Sequence, residues 1–587
     1  METQASAGTG ATPALTVDSG GARLHVVQAG DPAATTIVFV HGYPDTHGCW
    51  DELRAALSDR FHVVAYDVRG MGRSTAPPGP DAYALPALAA DLGAVIDAVS
   101  SEERVHLVGH DWGAFQCWEA ITSGPLAPRI ASFTAVAGPR LDATPGWALR
   151  RLRASPAALA EILSQARRSW YIGAFMIPRL PDAVLRRGMA RGWPNAMRRL
   201  EGIEPRPGHP AASIADDAVA GIALYRTNIG RRPPVTTIAP SRVPVQLVVP
   251  TRDRYISTAL YDDAALWADR VWRREVRAGH WAQRTHTAAV ARYVTELVEH
   301  VEGAEEPPAL RRARWTGPRR ELEGRLAVVT GAGSGIGRAT ALALAGRGAE
   351  VIAADIDPQA AQETRTHHPE RLHAHRVDVG DGAAMEAFAG EVVKRYGVPS
   401  IVVNNAGIGI SGAMLDMTVA DWERIIDVNL WGVIHGSRLF GRAMVDAGVE
   451  GQVVNVASAA AYAPSRLLGA YSTTKAAVLM LSECLRAELG GDGIGVTAIC
   501  PGIVNTNITR ATTMVGVSPE RQAELRERTA GAYARRNYPA SKVADAIVGA
   551  IEANPAVLPV TPEARAMLVM SRLTPGVLRR AARLDPL

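Results

Sequence analysis

An aspartate between two glycines stands where a buried strand should turn into a helix. The segment VHLVGHDWGAFQCWEA begins with a short apolar run, and Asp111 lies between Gly109 and Gly113. Because glycine has no Cβ, the chain can turn sharply there and raise the Asp111 side chain above the sheet. A carboxylate in that place predicts attack on an electrophilic carbon, which gives an alkyl-enzyme ester.

A second acid and a histidine follow Asp111 in the order that this kind of site uses. Asp253 lies in TRDRYIS and His280 lies in AGHWAQR. His280 is predicted to activate the water that cleaves the ester, and Asp253 to accept a hydrogen bond that holds the tautomer of the imidazole. The backbone N–H groups of Tyr43, in HGYPDTHGCW, and of Trp112 are candidates for an oxyanion hole.

A glycine-rich turn between two predicted strands indicates a dinucleotide site. In RLAVVTGAGSGIGRATALALAGRGAEVIAADID, Gly331, Gly335 and Gly337 let the backbone approach a pyrophosphate at a helix N-terminus. Asp355 closes the second strand, 18 positions after Gly337, where a carboxylate binds a ribose 2′-hydroxyl and repels a 2′-phosphate. Ser334, rather than a basic residue, precedes Gly335. These features predict NAD as the cofactor rather than NADP.

A tyrosine and a lysine one helical turn apart add acid–base chemistry to that half of the chain. Tyr471 and Lys475 share a helix face in AYSTTKAAVLM, and Ser458 ends an apolar run 13 positions before Tyr471. A tyrosine with a pKa of about 10 is a poor base at neutral pH, but a nearby ammonium favours the phenolate. Tyr471 is therefore predicted to exchange a proton with a secondary alcohol or ketone. Ser458 would bind the reacting oxygen, and Lys475 would also hold the nicotinamide ribose.

Short apolar runs rich in β-branched residues supply the strands that would position these groups. In the first half they are TTIVFV (35–40), FHVVAYDV (61–68), RVHLVG (104–109) and VPVQLVVP (243–250). In the second half they are RLAVVTG (325–331), EVIAADI (350–356), HAHRVDV (373–379), SIVVNNAG (400–407), GQVVNVAS (451–458) and GVTAIC (495–500). Helical stretches alternate with most of them, so both halves predict an α/β fold, the second of them a Rossmann-type doubly wound parallel sheet.

Two further stretches set the expected domain limits. Residues about 140–235 are rich in Arg, Trp, Met and Pro and helical in pattern, which predicts a helical lid inserted between two strands of the first domain. Residues 301–324 are dense in charge and proline and lack an apolar period, which predicts a linker. The domains are therefore expected at 1–300 and 325–587, the second with a basic, partly amphipathic C-terminal tail.

The first domain resembles the α/β-hydrolase fold, and specifically its epoxide hydrolase branch, over roughly residues 15–300. HGYP, DVRGMGRS (67–74), GHDWG and the loops that carry Asp253 and His280 occur in that order. The resemblance implies hydrolysis of an epoxide to a vicinal diol, with two lid tyrosines that donate hydrogen bonds to the epoxide oxygen. Tyr225, in ALYRTNIG, and Tyr171, in SWYIGAFMIP, are the residues that match.

Two alternatives remain open for the first domain. A haloalkane or haloacid dehalogenase shares the aspartate nucleophile, the histidine and Trp112, but it needs halide-binding donors and no paired lid tyrosines. Tyr225 favours the epoxide, as does Tyr43, where some dehalogenases carry Asn. A degenerate lipid-binding scaffold is the alternative of another class, and the intact motifs in both halves speak against it.

The second domain resembles the short-chain dehydrogenase/reductase family over about residues 323–560, through TGAGSGIG, NNAG (404–407), DVNLWG and YSTTK. The resemblance implies that Asn429 supports a proton relay through water and that Asp378 and Val379 contact the adenine. It also implies that Asn405 supports the central sheet and that Thr506 contacts the nicotinamide carboxamide. The cofactor-binding residues that it marks are Gly331, Ser334, Gly335, Ile336, Gly337, Asp355, Asp378, Val379, Asn405, Ala406, Gly407, Tyr471, Lys475 and Thr506.

Composition limits the remaining function classes. Of 587 residues, 47% are apolar and 21% charged, as in globular proteins, and a net charge of +4 is too small for so long a chain to indicate nucleic-acid binding. Four cysteines without a CxxC pair argue against a zinc or disulfide framework, so no metal site is predicted and a reducing, cytoplasmic location is expected. The sequence shows no signal-peptide pattern, and no apolar run approaches the ~18 residues of a membrane span.

Together the motifs predict a bifunctional enzyme, similar to a small group of proteins that join an epoxide hydrolase to a short-chain dehydrogenase. The apolar, arginine-rich lid predicts lipophilic epoxide substrates. Two interpretations of the tail stay open, a helix over the dehydrogenase cleft or a segment that contacts a membrane surface. The resemblance to short-chain dehydrogenases implies a homo-oligomer that forms through the helices around 429–445 and 470–490.

Overall fold

The computed structural model describes residues 14–100, 103–122, 124–154, 158–230, 239–317 and 320–583. The chain divides into two units, Met1–Pro318 and Arg319–Leu587, and each is built around its own sheet. Parallel pairs of strands dominate both sheets, and helices pack against them, so the predicted α/β class is confirmed for both halves.

The first unit contains an eight-stranded sheet. Its strands are β1 (Leu15–Ser19), β2 (Ala22–Ala29), β3 (Thr36–Val40), β4 (His62–Tyr66), β5 (Val105–His110), β6 (Ile130–Val136), β7 (Val245–Pro250) and β8 (Val271–Val276). They lie in the order β1-β2-β4-β3-β5-β6-β7-β8. The pairs β1–β2 and β2–β4 are antiparallel and the other pairs are parallel.

Four strands of this sheet lie outside the predicted set. β6 (IASFTAV) and β8 (VWRREV) contain polar residues, so their sequences do not form the uninterrupted apolar runs from which strands are predicted. The folded chain gives these residues partners: Ser132 Oγ lies 2.7 Å from Nδ1 of His106, and the Arg274 guanidinium lies 4.6 Å from the ring centre of Tyr293. β1 and β2 alternate buried with more exposed residues at the sheet edge and also lack an apolar run.

Helices cover both faces of this sheet. They are α1 (Asp51–Leu57), α2 (Leu85–Val99), α3 (Trp112–Thr122), α4 (Thr144–Ala154), α5 (Ala158–Arg168), α6 (Trp170–Phe175), α7 (Leu180–Ala196), α8 (Ile214–Asn228), α9 (Ala282–Thr285), α10 (Thr287–Val301) and α11 (Pro308–Ala313). Leu92 of α2 and Trp118 of α3 belong to the core on one face, and Leu53 of α1 and Val294 of α10 to the core on the other.

The helices α4 to α8 form the lid, which we define as Thr144–Asn228, inserted between β6 and β7. This range lies inside the predicted lid of about 140–235, and residues 231–238 are outside the described part of the chain. Arg226 holds the lid together, because its guanidinium donates to the carbonyl oxygens of Phe175 and Ile177 and pairs with Asp182.

Part of the predicted linker packs on the first unit. Within 301–324, α11 buries Leu310 and Ala313 against Trp272 and Leu297. Residues 308–313 therefore pack as part of the first unit, whereas Leu322, near the end of the predicted range, belongs to the core of the second unit. Six residues with two buried side chains are too few to show an apolar period, which explains the difference. The division between the two units falls at 318/319, inside the predicted range.

The second unit contains a seven-stranded parallel sheet and a separate two-stranded pair. The strands are β9 (Leu326–Thr330), β10 (Glu350–Asp355), β11 (Leu372–Arg376), β12 (Ile401–Asn404), β13 (Ile410–Ser411), β14 (Gly451–Val456), β15 (Ile494–Cys500), β16 (Thr513–Met514) and β17 (Val557–Pro559). The large sheet has the order β11-β10-β9-β12-β14-β15-β17, and β13 pairs with β16. The six predicted strands are present, and β17, β13 and β16 are additional strands of two or three residues.

Helices pack on both faces of the large sheet as in a doubly wound fold. They are α12 (Gly335–Gly346), α13 (Pro358–Arg365), α14 (Gly382–Tyr396), α15 (Val419–Ile426), α16 (Gly432–Ala447), α17 (Gly469–Leu489), α18 (Ile508–Ala511), α19 (Pro519–Arg536), α20 (Ala540–Ala553), α21 (Pro562–Leu573) and α22 (Pro575–Ala581). None of the helices in the described ranges is long and apolar enough to span a membrane.

Candidate active sites

Asp111 occupies a one-residue turn between a buried strand and a helix. β5 ends at His110 and α3 begins at Trp112, and Asp111 has a φ of 49°, in the left-handed region. Close contacts require the glycine that follows, because a Cβ on Gly113 would lie 2.1 Å from the carbonyl oxygen of Val40. The turn thus presents the carboxylate at the carboxyl end of the sheet.

Two backbone N–H groups and an imidazole surround the Asp111 carboxylate. The N–H of Tyr43 donates to Oδ2 over 2.9 Å, and the N–H of Trp112 donates to the same carboxylate. Nε2 of His280 lies 3.8 Å from Oδ1. Burial raises the pKa of Asp111 to about 6, although His280 and the two N–H groups favour the charged form. The carboxylate is therefore mostly ionised at neutral pH yet poorly solvated, which suits a nucleophile.

His280 lies between the two carboxylates that the sequence predicts as its partners. Its Nδ1 is 2.7 Å from Oδ2 of Asp253, whose Oδ1 accepts a hydrogen bond from the N–H of Tyr255 over 2.7 Å. Burial lowers the pKa of the imidazole, but the neighbouring carboxylates raise it to about 9. Asp253 has the largest effect of these carboxylates, followed by Asp111 and Glu201. The arrangement orients Nε2 toward Asp111 and fixes the tautomer.

Three tyrosines lie beside this carboxylate. The ring of Tyr225 is 4.9 Å from that of Trp112 and 5.9 Å from that of Tyr171, measured between ring centres. A hydrogen bond joins the side chains of Tyr171 and Tyr225, and the buried Tyr43 hydroxyl has no hydrogen-bond partner among the described residues. Burial raises the pKa of all three phenols, so they remain protonated donors at neutral pH.

Glu201 also belongs to this site, although no sequence motif predicts it. It ends a π-helical turn of the lid, Met197–Glu201, and its Oε2 accepts the backbone N–H of His280 over 2.8 Å. Burial raises the pKa of Glu201, and its Oε1 is buried with no hydrogen-bond partner in the described part of the chain. No local motif marks a single acid within an arginine-rich lid, so only the folded chain brings it to the histidine.

Asp45 stabilises the loop that carries His280 through a hydrogen bond from the neighbouring Trp281. Its Oδ1 lies 2.8 Å from Nε2 of His209, and its Oδ2 accepts the indole N–H of Trp281, the neighbour of His280, over 2.6 Å. Burial raises the pKa of Asp45, but His209, His110 and the hydrogen bond from Trp281 together outweigh burial and hold the pKa at about 2. A sequence signal for this residue exists, because Asp45 directly follows the HGYP motif.

The second unit contains a cavity of about 1920 Å³ that gathers most of its predicted site residues. The predicted residues that line it are Gly331, Ser334, Gly335, Ile336, Asp355, Asp378, Val379, Asn405, Ala406, Gly407, Ser458, Tyr471, Lys475 and Thr506. The two predicted residues that do not line it are Gly337 and Asn429. Gly337 packs against the glycine-rich turn, where a Cβ would lie 2.0 Å from the carbonyl oxygen of Gly331, and Asn429 is fully buried.

Lys475 and Tyr471 lie on the same helix, α17, at the wall of this cavity. The amine of Lys475 donates to the carbonyl oxygen of Val456 over 2.8 Å and lies 5.9 Å from the ring centre of Tyr471. Burial lowers the pKa of Lys475 to about 8, so most of this amine is charged at neutral pH. Ser458 lines the same wall, where its hydroxyl accepts the N–H of Ala460 over 3.2 Å.

Asn429 positions the segment that faces this lysine. It lies in a π-helical turn, and its side-chain amide bonds both backbone groups of Ile408, accepting over 2.8 Å and donating over 3.0 Å. A Cβ on the adjacent Gly407 would lie 3.3 Å from the Asn429 oxygen and 3.4 Å from the Lys475 amine. Asn429 therefore holds this segment from its buried side and does not line the cavity.

The glycine-rich turn fits a dinucleotide. Gly331 and Gly335 have φ values of 63° and 54°, and a Cβ on Gly331 would lie 2.8 Å from Cα of Ala406. α12 begins at Gly335, so its free N–H groups lie at the cavity wall. The Asp355 carboxylate is held there by the N–H of Gly333, which donates to Oδ2 over 2.7 Å. Backbone donors beside a fixed carboxylate suit a pyrophosphate and a ribose.

The tail forms α21 and α22, and residues 584–587 lie outside the described part. Glu563 and Met567 of α21 line the cavity, and Oε1 of Glu563 accepts the N–H of Ile503 over 2.9 Å. This position favours the interpretation of the tail as a helix over the dehydrogenase cleft.

Three possible metal ligands meet in the first unit, although the sequence predicts no metal site. Polar atoms of His25, His47 and Asp67 lie within 4.8 Å of one another. Asp67 Oδ1 is 2.7 Å from Nδ1 of His47 and accepts its backbone N–H, and Oδ2 accepts the N–H of Arg73. Because these bonds already engage both carboxylate oxygens, we assign the group to the turn that follows β4.

Comparisons with known proteins agree with this architecture. The first unit matches the alpha/beta hydrolase family over residues 37–293, and the second matches the short chain dehydrogenase family over residues 325–514. The chain is an enzyme in which a hydrolase-type unit precedes an oxidoreductase unit, and the short-chain dehydrogenase family implies a nicotinamide cofactor and a small-molecule substrate.

One group of relatives matches the whole chain. "Probable oxidoreductase EphD" of Mycobacterium tuberculosis and Mycobacterium bovis is 40% identical over 582 residues, which are 96% of this chain and 97% of that protein. The chain belongs to this family of fused proteins, and the predicted fusion of the two domain types is confirmed.

Other relatives match the second unit. Meso-2,3-butanediol dehydrogenase of Serratia marcescens is 32% identical over 189 residues, 32% of this chain and 74% of that protein. A short-chain dehydrogenase/reductase from Burkholderia phymatum, solved in complex with NAD, is 30% identical, with 46% of this chain and 99% of that chain covered and a TM-score of 0.41.

Proposed function

We propose that the first unit hydrolyses epoxides through an ester on Asp111. In the first step the carboxylate attacks an epoxide carbon, the carbon–oxygen bond breaks, and the released oxygen takes a proton from Tyr171 or Tyr225. The observation that carries this proposal is a buried carboxylate beside two protonated lid phenols. Opening an epoxide requires a nucleophile at carbon and an acid at oxygen, and this pair supplies both.

In the second step His280 takes a proton from water, and the water oxygen attacks the ester carbonyl. The N–H groups of Tyr43 and Trp112 stabilise the negative oxygen that develops there. The imidazole, which is protonated in the free enzyme, first gives its proton to the tyrosine phenolate and can then accept one from water. The bond between the ester carbon and the diol oxygen breaks, this oxygen takes the proton of the attacking hydroxyl, and Asp111 is again a carboxylate beside a protonated imidazole. Ester formation removes the charge of Asp111, one of the groups that raise the pKa of His280, so the imidazole gives up its proton more readily when a base is needed.

Substituting the histidine separates the two steps. His280→Gln should form the ester and fail to cleave it, so intact-mass spectrometry after exposure to an epoxide should show a gain equal to the mass of that epoxide. The double variant Asp111→Asn/His280→Gln is the matched control and should show no gain. An epoxide that the unchanged enzyme hydrolyses but that leaves no adduct on His280→Gln contradicts the ester mechanism.

The dehalogenase alternative is tested in the same experiment. A chloroalkane would leave an adduct lacking the halogen, and the unchanged enzyme would release halide. Halide release without diol formation from any epoxide would replace the epoxide proposal. The indole of Trp112 is hydrogen-bonded to Tyr225, so it is already engaged rather than free to bind a halide, which favours the epoxide.

For the second unit, we propose that it moves hydride between NAD and a secondary alcohol or ketone. The bound nicotinamide supplies or accepts the hydride. Tyr471 exchanges the proton of the substrate hydroxyl, and Ser458 donates a hydrogen bond to the same oxygen. The charged amine of Lys475 favours the phenolate form of Tyr471. Tyr471→Phe should remove this activity without loss of cofactor binding, measured by nicotinamide fluorescence.

Asp355 supports NAD over NADP. Its carboxylate lies at the cavity wall beside the glycine-rich turn. There it can accept a hydrogen bond from the ribose 2′-hydroxyl of NAD and repel the 2′-phosphate of NADP. Initial rates with the two cofactors should favour NAD, and Asp355→Ala should reduce this preference. Equal rates with NAD and NADP in the unchanged enzyme would contradict the assignment.

We further propose that the second unit oxidises the diol made by the first to a hydroxyketone. The fusion of both units in one chain supports this, as does similarity to a protein named for a vicinal diol, meso-2,3-butanediol dehydrogenase. Purified protein given NAD and the diol product should form NADH. Oxidation of other secondary alcohols without any reaction of the diol would exclude the link and leave the two activities separate.

A further inference from the structure

The outer surface of the lid exposes large apolar side chains. Within the described part of the first unit, ten of eleven such exposed side chains belong to the lid, and the eleventh is Leu266. The most exposed of them is Trp170, at 72%. Exposed apolar side chains scattered singly are normal, but their concentration on one part of a unit marks an interaction surface.

Three lid helices present these residues at helical spacing. The pairs on α4, α5 and α7 are Leu149 and Leu152, Leu159 and Leu163, and Leu180 and Val184. Residues three or four apart lie on the same side of a helix, so each pair forms an outward apolar stripe. Other residues of the same helices bury their side chains, as Trp147 does on α4, so these stripes are additional to the face that holds the lid in place.

Positive charge accompanies the apolar stripes. Residues 144–228 contain 13 arginines and six acidic residues, a net charge of +7 against +4 for the whole chain. Six of these arginines are exposed and make no ion pair with another described residue: Arg153, Arg167, Arg179, Arg187, Arg191 and Arg199. Unpaired arginines next to apolar side chains match a surface that offers both anionic groups and hydrocarbon.

We propose that the lid docks on a lipid surface with anionic headgroups. The leucines and Trp170 enter the boundary between headgroups and acyl chains, and the unpaired arginines bind the phosphate groups. Trp170 directly precedes Tyr171, whose ring contacts that of Tyr225 in the candidate site. Docking therefore places Tyr171 one residue along the chain from a side chain that enters the lipid. This docking does not require that the substrate of the first unit be an epoxide.

Vesicle sedimentation of the full chain tests the proposal. Vesicles of phosphatidylcholine with about one third phosphatidylglycerol should bind the protein, while vesicles of phosphatidylcholine alone should bind it far less, and salt should weaken binding. Arg167→Gln/Arg187→Gln should weaken partitioning by about thirtyfold, because each basic residue near an anionic surface contributes about fivefold. Leu163→Ser/Leu180→Ser should weaken it at both high and low salt.

Matched substitutions outside the lid control for general effects. Leu266→Ser removes an exposed leucine of the same unit, and Arg104→Gln/Arg242→Gln removes two of its exposed arginines. These variants should bind vesicles like the unchanged protein, and all variants should keep the same thermal midpoint. Equal binding by the lid variants, or no binding to anionic vesicles at all, overturns the proposal. A dimer that Leu163→Ser/Leu180→Ser converts to monomer would instead assign the surface to a second copy of the chain.

Discussion

The carboxylates around His280 set the pH range in which each step of the proposed hydrolysis runs. Burial raises the pKa of Asp111 to about 6, whereas the summed carboxylates raise the pKa of His280 to about 9. Near neutral pH the free enzyme therefore holds an anionic nucleophile beside a protonated imidazole. Attack on the epoxide can occur in this state, and the charge lost from Asp111 then releases the imidazole to act as a base.

Acid should slow ester formation. Asp111 attacks only as an anion, and because its pKa in the folded chain is about 6, the protonated fraction grows as the pH falls through that value. The rate of the first turnover, measured by rapid quench, should be about tenfold lower near pH 5 than near pH 7. A rate that stays constant down to the ordinary pKa of an aspartate, about 4, would show that the attacking carboxylate is not the buried one.

Glu201→Gln should shift the pH dependence of ester hydrolysis toward acid. Glutamine keeps an oxygen that accepts the N–H of His280, but it removes one of the charges that raise the pKa of the imidazole. His280 then becomes neutral at lower pH, so the midpoint of the second step moves down. Single-turnover decay of the ester across pH measures this shift.

Another lid acid provides the control for Glu201. Glu204→Gln removes an acid that pairs with Arg198 at the surface, and it should leave the midpoint unchanged. If Glu201→Gln and Glu204→Gln behave alike, Glu201 has only a structural role.

At the scale of the elements, the turn that carries Asp111 depends on a glycine in a crowded place. Gly113→Ala would place a Cβ 2.1 Å from the Val40 carbonyl oxygen, so it should lower the free energy of unfolding by about 2 kcal/mol or more. Gly93→Ala, in α2 of the same unit, meets only Leu126 at 3.8 Å and should raise it by about 0.5–1 kcal/mol. Urea unfolding of both variants checks the two signs, and a Gly113→Ala as stable as the unchanged protein would contradict this packing.

Elements with a local signal could be predicted from the sequence, and elements stabilised by distant partners could not. The strand–turn–helix units around Asp111 and Gly331 follow from apolar runs and glycines within about twenty residues. β6 and β8 could not be found in this way, because their Ser132 and Arg274 gain partners only in the folded sheet. Glu201 could not be predicted either, because its partner His280 lies 79 positions away in the chain.

At the scale of the whole molecule, each unit has its own core and its own candidate site. Asp111→Asn should therefore abolish epoxide hydrolysis and leave NAD-linked oxidation of an added diol intact. Tyr471→Phe should have the opposite effect. Product analysis with an epoxide plus NAD should yield hydroxyketone from the unchanged enzyme and only diol from Tyr471→Phe.

Loss of both activities in either variant would show that the units depend on one another. Circular dichroism must show that such a variant is folded, because a variant that fails to fold loses both activities for that reason alone.

The origin of the diol oxygen distinguishes attack by Asp111 on the epoxide carbon from direct attack by water. A single turnover with enzyme in excess, run in water enriched in the heavy oxygen isotope, should give an unlabelled diol, because its new oxygen comes from the Asp111 carboxylate. The heavy isotope should then be found in the peptide that contains Asp111, since water attacks the ester carbonyl. Heavy oxygen in the diol of the first turnover, with none in that peptide, would mean direct attack by water and would contradict the account.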